Sequence, residues 1–187
     1  MTAELWELLA ARRGHFRYES GHHGELWLDL DGLFVRPARL DPFIDRLASL
    51  LPEVDAVCGP LVGGAFVAQL LARRLDVDCS HTDRTAGAGV VSYRLPAAPA
   101  GRLAGRRVAI VDDVINAGSA VGTTLAAVRG CGGQPLAVGA LLVLGTAITT
   151  VAGDLPVHAV ERLPNPLWSP VDCPQCTDGV PLTDLVG

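Results

Sequence analysis

One stretch of the chain, residues 107–124, constrains the fold more than any other. Its run from Val108 to Val111 is short, apolar and rich in β-branched residues, which is typical of a buried strand in a parallel sheet. Asp112 and Asp113 follow directly, and small residues then lead into a segment with a helical pattern. Because ligands of open α/β sheets bind at the carboxyl ends of the strands, we expect a binding site here.

The acidic pair restricts the class of ligand that this site can bind. Two adjacent carboxylates beside a loop of small residues can accept hydrogen bonds from two vicinal hydroxyl groups, while the loop's N–H groups approach a phosphate. We therefore predict a phosphorylated sugar as the ligand, since free phosphate alone would not need the carboxylates. An ordinary strand, loop and helix of a Rossmann-like domain is the alternative, but the segment has neither a GxGxxG fingerprint nor a Walker lysine.

The same segment resembles the phosphoribosyl diphosphate (PRPP) motif of the type I phosphoribosyltransferases. That motif is a hydrophobic stretch followed by Asp-Asp-Val, two variable positions, a small residue, Gly and Ser or Thr, and the chain matches it from Asp112 to Ser119. The resemblance implies that Asp112 and Asp113 bind the 2- and 3-hydroxyls of the ribose. It also implies that the 5-phosphate is bound by Asn116, Ala117, Gly118, Ser119 and Ala120.

A glycine-rich loop earlier in the chain extends the resemblance. Residues 59–65, Gly-Pro-Leu-Val-Gly-Gly-Ala, are similar to the family's diphosphate-binding loop, in which backbone amides at a helix start meet the pyrophosphate. A plain turn between a strand and a helix is the alternative. The residues that the resemblance assigns to pyrophosphate binding are Pro60, Leu61, Val62, Gly63 and Gly64.

The amino-terminal part resembles the orotate phosphoribosyltransferases, which have Ser-Gly followed within a few residues by an aromatic residue and Asp. The chain has Ser20-Gly21, then Trp27 and Asp29. For the two histidines after Gly21, a solvated turn position is the alternative to a role at the acceptor. The predicted acceptor-binding residues are Glu19, Ser20, Gly21, His22, His23 and Trp27.

Three departures from the orotate pattern concern positive charge. Glu19 stands where a basic residue usually precedes Ser-Gly, and residues 143–146, Val-Leu-Gly-Thr, replace the usual Asp-Arg. All 15 basic residues are Arg, so the lysines of the family's mobile loop are missing as well. We therefore expect a phosphoribosyltransferase whose acceptor is not orotate. A genuine orotate enzyme and a non-catalytic PRPP-sensing regulator of the same fold are the alternatives.

Two arginines of the Gly-, Ala- and Pro-rich stretch 81–107 are candidates for the missing lid cation. This stretch predicts a hairpin or a mobile loop over the site. Arg84 or Arg94 could stabilise the departing pyrophosphate, since Arg binds phosphate bidentately. The alternative for each is a solvated loop charge.

The spacing Cys173-x-x-Cys176 is that of a zinc knuckle. A structural zinc site needs four ligands, and the sequence offers only this one pair. We expect a reduced pair that packs the carboxyl-terminal tail. Zinc bound by Cys173 and Cys176 together with histidines, or with a second subunit, is the alternative.

The order of elements predicts an α/β fold, with a parallel sheet flanked by helices and a small hood. We expect a single domain over 1–187, with a PRPP-binding core at about 52–160 and a hood from about 14–35 and 160–187. The amphipathic start predicts a helix over about 2–13, and Asp41-Pro42 predicts an N-cap and first turn of a helix over 41–51.

Charge and composition exclude some classes of partner. The net charge is −5 with scattered arginines, which argues against nucleic-acid binding, and no apolar run is long enough to span a bilayer. Without a signal sequence at the start, we expect a cytoplasmic protein with no membrane partner. The resemblance implies Mg²⁺ with PRPP, a small-molecule acceptor and a homodimer.

Overall fold

The computed structural model describes residues 3–18, 21–30, 32–87 and 90–184. The chain divides into two compact units. The smaller unit comprises Met1–Val35 with Leu163–Gly187, and the larger comprises Arg36–Arg162.

Helices and strands alternate along much of the chain. In order, they are α1 (Ala3–Leu8), β1 (Arg12–Arg17), β2 (His23–Trp27), a 3₁₀ turn (Pro37–Leu40), α2 (Asp41–Leu50), β3 (Ala56–Pro60), α3 (Gly63–Leu75), β4 (Asp78–Gly87), β5 (Val90–Arg94), α4 (Ala97–Leu103), β6 (Arg107–Ile115), α5 (Ser119–Gly130), β7 (Gln134–Leu144), α6 (Ala147–Ala152), β8 (Val157–Leu163), β9 (Leu167–Trp168), α7 (Pro174–Thr177) and β10 (Thr183–Asp184).

The larger unit is built on a six-stranded sheet in the order β5-β4-β3-β6-β7-β8. Strands β4, β3, β6 and β7 run parallel, and β5 pairs antiparallel with β4. All five residues of β3 and most of β6 are buried, as expected for central strands covered on both faces. Ile110 of β6 packs with Leu125 and Val128 of α5 in the core. The predicted α/β class with a mostly parallel sheet is confirmed.

The smaller unit holds a four-stranded sheet in the order β10-β1-β2-β9. Here the predicted helix over 2–13 is wrong beyond Leu8. Ala10 adopts a left-handed φ of 41°, and Arg12 and Arg13 pair with Trp27 and Leu26 of β2. Sheet pairing thus overrides the amphipathic pattern at this end of the chain.

Of two further local predictions, one is wrong and one is confirmed. Asp41 is not the N-cap of α2, because the 3₁₀ turn before it makes Leu40 the capping residue and Asp41 already has helical dihedral angles. The stretch 81–107 forms the β4–β5 hairpin and the short helix α4, so the hairpin is confirmed. No helix within the described ranges is both long and apolar enough to cross a membrane.

Candidate functional site

The candidate site lies at the carboxyl ends of β3 and β6, which are neighbours in the sheet. Register pairs Cys58 of β3 with Ile110 of β6, so the loop after β3 and the acidic pair of β6 lie at the same sheet edge. Asp112 and Asp113 are only 8% and 7% exposed. Parallel pairing therefore brings together two motifs that are some fifty residues apart in the sequence.

The two carboxylates are held by backbone donors. The backbone N–H of Asp113 donates to Oδ1 of Asp112 at 3.0 Å, and that of Val114 donates to Oδ1 of Asp113 at 2.8 Å. None of the ion pairs found among the described residues includes either carboxylate. The two carboxyl groups also form a side-chain hydrogen bond with each other.

Burial governs the protonation of this pair. It raises the pKa of Asp112 well above its ordinary value, and the neighbouring carboxylate of Asp113 raises it further. Burial also raises the pKa of Asp113, although the hydrogen bond from Val114 opposes the rise. A ligand that donates O–H groups to the pair, or brings a cation to it, would relieve this desolvation.

The glycines of the first loop are required by its close approach to the acidic pair. A Cβ atom on Gly63 would lie 2.0 Å from Oδ2 of Asp113, and one on Gly64 would lie 2.7 Å from Oδ1 of Asp112. A Cβ atom on Gly59 would lie 2.0 Å from the carbonyl oxygen of Gly64. Only glycine therefore lets the loop pack directly against the two carboxylates.

Two helices begin at this edge without a side-chain cap, as far as the described structure extends. The N-cap of α3 is Val62 and that of α5 is Gly118, and neither provides a side-chain hydrogen bond to the first turn. Gly118 has a φ of +79°, which favours glycine at this position. The first N–H groups of both helices can therefore serve an anion, and the helix dipoles favour negative charge there.

The residues predicted to bind the two phosphate groups are all described. Asn116 and Ala117 follow β6, while Ser119 and Ala120 form the first turn of α5. In the other loop, Pro60 ends β3, Leu61 donates its backbone N–H to the carbonyl oxygen of Thr82, and Val62 is 64% exposed. The peptide bond between Leu61 and Val62 is cis.

The sequence and the fold are similar to those of known proteins. No protein-family model matches the chain. An orotate phosphoribosyltransferase of Thermotoga maritima is 28% identical over 184 residues, which are 97% of this chain and 95% of that relative. The solved orotate phosphoribosyltransferase of Aeropyrum pernix matches with a TM-score of 0.71 and 23% identity, over 87% of this chain and 94% of its own. The chain is thus similar in sequence to orotate phosphoribosyltransferases, and its fold is that of the type I phosphoribosyltransferases.

A second solved structure shows that the fold is shared across acceptor classes. The adenine phosphoribosyltransferase of Rhodothermus marinus has a TM-score of 0.67 and 22% identity, over 87% of this chain and 100% of its own. The type I phosphoribosyltransferase fold alone therefore does not identify the acceptor.

The two candidate lid arginines lie on the β4–β5 hairpin, and both are exposed. The register pairs Arg84 with Tyr93 and Asp83 with Arg94. Directly paired residues point to the same face of a sheet and neighbours point to opposite faces. Arg84 and Arg94 therefore project from opposite faces, so a ligand on one side of the hairpin meets only one of them.

The predicted acceptor residues are only partly described. Glu19 and Ser20 lie outside the described residues. Gly21, with a φ of +79°, lies in the turn between β1 and β2, His22 is exposed and Trp27 is half-buried. The role of these residues at an acceptor stays a prediction.

His23 differs from its neighbours in the turn. It begins β2 and is only 3% exposed, so a solvated turn position is the wrong description for it. Its ring lies beside His15, Cys173 and Cys176. Sequence reasoning missed His15, because nothing in its local pattern separates it from an ordinary strand residue.

Proposed function

We propose that the chain transfers the 5-phosphoribosyl group of PRPP to a nucleophilic acceptor and releases pyrophosphate. One observation carries this proposal. Two buried carboxylates without an ion-pair partner in the described structure pack against a glycine loop, at the edge where two uncapped helices begin. This edge offers acceptors for two hydroxyl groups and donors for two anionic groups. PRPP carries both kinds of group, with two hydroxyls on its ribose and a phosphate and a pyrophosphate attached to it.

The proposed reaction breaks the bond between the anomeric carbon and the pyrophosphate oxygen and forms a bond from that carbon to the acceptor. Its transition state has oxocarbenium character, so the protein's work is to orient the sugar, stabilise charge and exclude water. In this proposal Asp112 and Asp113 accept hydrogen bonds from the 2- and 3-hydroxyls. The residues 116–120 bind the 5-phosphate, and the residues 60–64 bind the pyrophosphate.

The oxygen-rich donor set also suits Mg²⁺, a hard cation that prefers carboxylate, hydroxyl and phosphate oxygens. Mg²⁺ held mostly by the pyrophosphate and hydroxyls of PRPP would neutralise the leaving group. Asp112 and Asp113 would act on the hydroxyl groups of the sugar, and their burial beside each other makes these hydrogen bonds favourable.

We further propose that one of the two hairpin arginines acts as the lid cation. Because Arg84 and Arg94 occupy opposite faces, alanine substitutions should have unequal effects. The responsible variant should lose roughly tenfold in kcat with a smaller change in the KM for PRPP, since the contact strengthens as pyrophosphate departs. Equal, negligible effects of Arg84→Ala and Arg94→Ala would mean that neither arginine is the lid cation, and absence of turnover in the wild type with retained PRPP binding would favour the PRPP-sensing regulator.

We propose that the acceptor is not orotate. No Arg or Lys occurs between Arg129 and Arg162, and β7 ends in the buried apolar pair Val143 and Leu144. A guanidinium paired with a planar carboxylate contributes on the order of a few kcal/mol, and this chain has none at the expected position. Glu19 beside Ser20-Gly21 adds a negative charge. These features favour a neutral or amine-bearing acceptor.

Orotate itself is the second candidate, favoured by the name of the Thermotoga maritima relative. The deciding experiment assays the full chain with PRPP and Mg²⁺ against orotate, uracil, purine bases and simple amines, with pyrophosphate release as the readout. Efficient formation of orotidine phosphate would overturn the acceptor proposal. Calorimetric titration with PRPP and Mg²⁺, without acceptor, tests PRPP binding separately from turnover.

A charge reversal sharpens the acceptor test. Glu19→Arg should increase any residual affinity for orotate, because it introduces the missing positive charge beside Ser20. Glu7→Arg is the matched control, since it makes the same change at an exposed position of α1. Equal orotate affinities in the two variants would mean that Glu19 is not at the acceptor.

A further inference from the structure

Four potential metal ligands converge within the smaller unit. His15 lies on β1 and His23 on β2. Cys173 is the N-cap residue of the short helix α7, and Cys176 lies within that helix. Their ligand atoms all lie within 4.8 Å of one another. His15, His23 and Cys173 are 2%, 3% and 1% exposed, so most of this polar cluster is shielded from water.

The distances match the edges of a tetrahedron around one metal ion. Zinc bond lengths of about 2.0–2.1 Å to nitrogen and about 2.3 Å to sulfur place two nitrogens about 3.3 Å apart, and a nitrogen and a sulfur about 3.6 Å apart. Nε2 of His15 lies 3.2 Å from Nδ1 of His23 and 3.3 Å and 3.7 Å from Sγ of Cys173 and Cys176. Sγ of Cys176 lies 3.3 Å from Nδ1 of His23.

The arrangement of groups around the His15 ring favours a metal over a set of hydrogen bonds. Its Nδ1 lies 2.9 Å from the carbonyl oxygen of Val180, which can only accept a hydrogen bond, so the proton belongs on Nδ1. Nε2 of the neutral ring then has one lone pair, yet three other groups face it. A metal ion bound by that lone pair satisfies all four groups at once, and the carbonyl partner orients the ring as such partners do for metal-binding histidines.

Backbone geometry presents the four side chains to one point. The pairing of β1 with β2 shifts register between Arg13 and Phe16, where His15 lies, and such irregularities re-aim side chains. On the tail, the backbone N–H of Thr177 donates to the carbonyl oxygen of Cys173, which closes the turn that carries both thiols. Gly179 follows with a φ of +68°.

We propose that His15, His23, Cys173 and Cys176 bind one Zn²⁺ ion in a structural site. Two thiolates and two imidazoles in tetrahedral arrangement select zinc, and four protein ligands leave no open position for a substrate. The ion joins the carboxyl-terminal tail to the β1–β2 hairpin, next to the parallel pairing of β10 with β1. This assignment replaces the acceptor role predicted for His23 and the packing role predicted for the two thiols.

The first test measures metal in the full chain. The protein is equilibrated with Zn²⁺, desalted, and analysed for zinc by mass spectrometry. We expect about one zinc per chain in the wild type and in Cys79→Ser, which removes an exposed thiol outside the cluster, and less than about a tenth of this in the Cys173→Ser, Cys176→Ser double variant. Equal zinc contents in the wild type and the double variant would overturn the proposal.

The second test does not depend on the double variant being folded. Wild-type protein loaded with Co²⁺ should show the intense visible bands of tetrahedral cobalt with thiolate ligands, and Zn²⁺ should displace them. Removing the metal with a chelator should lower the Tm by at least about 5 °C, and added Zn²⁺ should restore it, because the binding free energy contributes to folding. Only the weak absorption of octahedral cobalt, or a Cys173–Cys176 disulfide whose reduction restores no zinc binding, would contradict the site.

Discussion

The carboxyl groups at the two ends of strand β6 have pKa values shifted in opposite directions. At the amino end, Arg107 donates to Asp55 from its backbone N–H at 2.9 Å, from Nε at 3.2 Å and from Nη2 at 2.8 Å. These hydrogen bonds lower the pKa of Asp55 to about 2. At the carboxyl end, burial raises the pKa of Asp112 and Asp113, and no cation among the described residues offsets the rise.

This difference bears on which end of the strand would gain more from binding a ligand. The carboxylate at the amino end is neutralised by the protein's own guanidinium, so folding alone satisfies it. The pair at the carboxyl end loses hydration on folding and gains hydrogen bonds from two backbone N–H groups and between its own side chains, but no cation, which leaves the charged form unfavourable. A bound sugar with two hydroxyl donors, accompanied by Mg²⁺, would stabilise that form, so stability and binding are expected to respond oppositely to changes there.

The largest expected effect comes from removing the charge at the carboxyl end. Asp112→Asn and Asp113→Asn should each weaken PRPP binding by about 1.5–3 kcal/mol, or roughly 10- to 150-fold, because each loses a charge-assisted hydrogen bond to a hydroxyl. Calorimetric titration with PRPP and Mg²⁺ measures this directly. Asp45→Asn is the control, since it makes the same change at an exposed carboxylate paired with Arg74. Unchanged affinity in both site variants would mean that the acidic pair does not bind the ribose of PRPP.

The next effect concerns the glycine that packs against the pair. Gly63→Ala places a methyl group 2.0 Å from Oδ2 of Asp113, so the carboxylate has to turn away. We expect PRPP affinity to fall about tenfold, since part of the Asp113 hydrogen bond is lost while the residue stays in place. In Gly130→Ala the new methyl group would meet no atom within 4 Å beyond its chain neighbours and its own helix backbone, so this variant should leave affinity unchanged. Similar PRPP affinities for the two variants would mean that the close packing of Gly63 against Asp113 does not matter for PRPP binding.

Contiguous patterns explain which parts of this architecture were predictable. The core strands appear as apolar runs because they are buried on both faces, and the acidic pair is recognisable because it lies within a few residues of the small residues that follow β6. The helix expected over 2–13 fails beyond Leu8, because the chain turns at Ala10 and pairs with β2. Its apolar spacing cannot report that long-range pairing.

The parts of the candidate sites that escaped prediction depend on register and on distant contacts. His15 and Cys173 are 158 residues apart in the sequence, and strand pairing and the fold of the tail bring them together. The opposite orientations of Arg84 and Arg94 follow from their register in the hairpin, which composition does not specify. Sequence spacing thus groups candidate residues that are close in the sequence and misses those that tertiary structure brings together.

A smaller effect should appear in the stability of the ligand-free protein. Asp112→Asn should increase the free energy of unfolding at neutral pH by about 0.5–2 kcal/mol, because the buried charge is gone. The folded-state pKa of Asp112 lies above the unfolded value of 3.8, so the folded protein binds more protons and wild-type stability falls as pH rises through this window. The gain should therefore vanish below about pH 3.8. A variant less stable than wild type at pH 7 would contradict the unfavourable charge.

The smallest expected effect lies at the amino end of β6. Arg107→Gln removes the partner of Asp55, whose folded-state pKa of about 2 lies below the unfolded value of 3.8. The pair's contribution to stability is present above pH 3.8 and is lost as pH falls towards 2, because the unfolded chain then binds the proton first. The variant should therefore have a slightly lower Tm than wild type at neutral pH, and the Tm values of the two proteins should converge in acid.

The PRPP affinity of Arg107→Gln should match that of wild type, since the carboxylate at this end of the strand is neutralised without a ligand. Thermal melts from pH 2 to 7 and one PRPP titration check both points, and a loss of PRPP affinity as large as that of Asp112→Asn would abolish the distinction between the two ends.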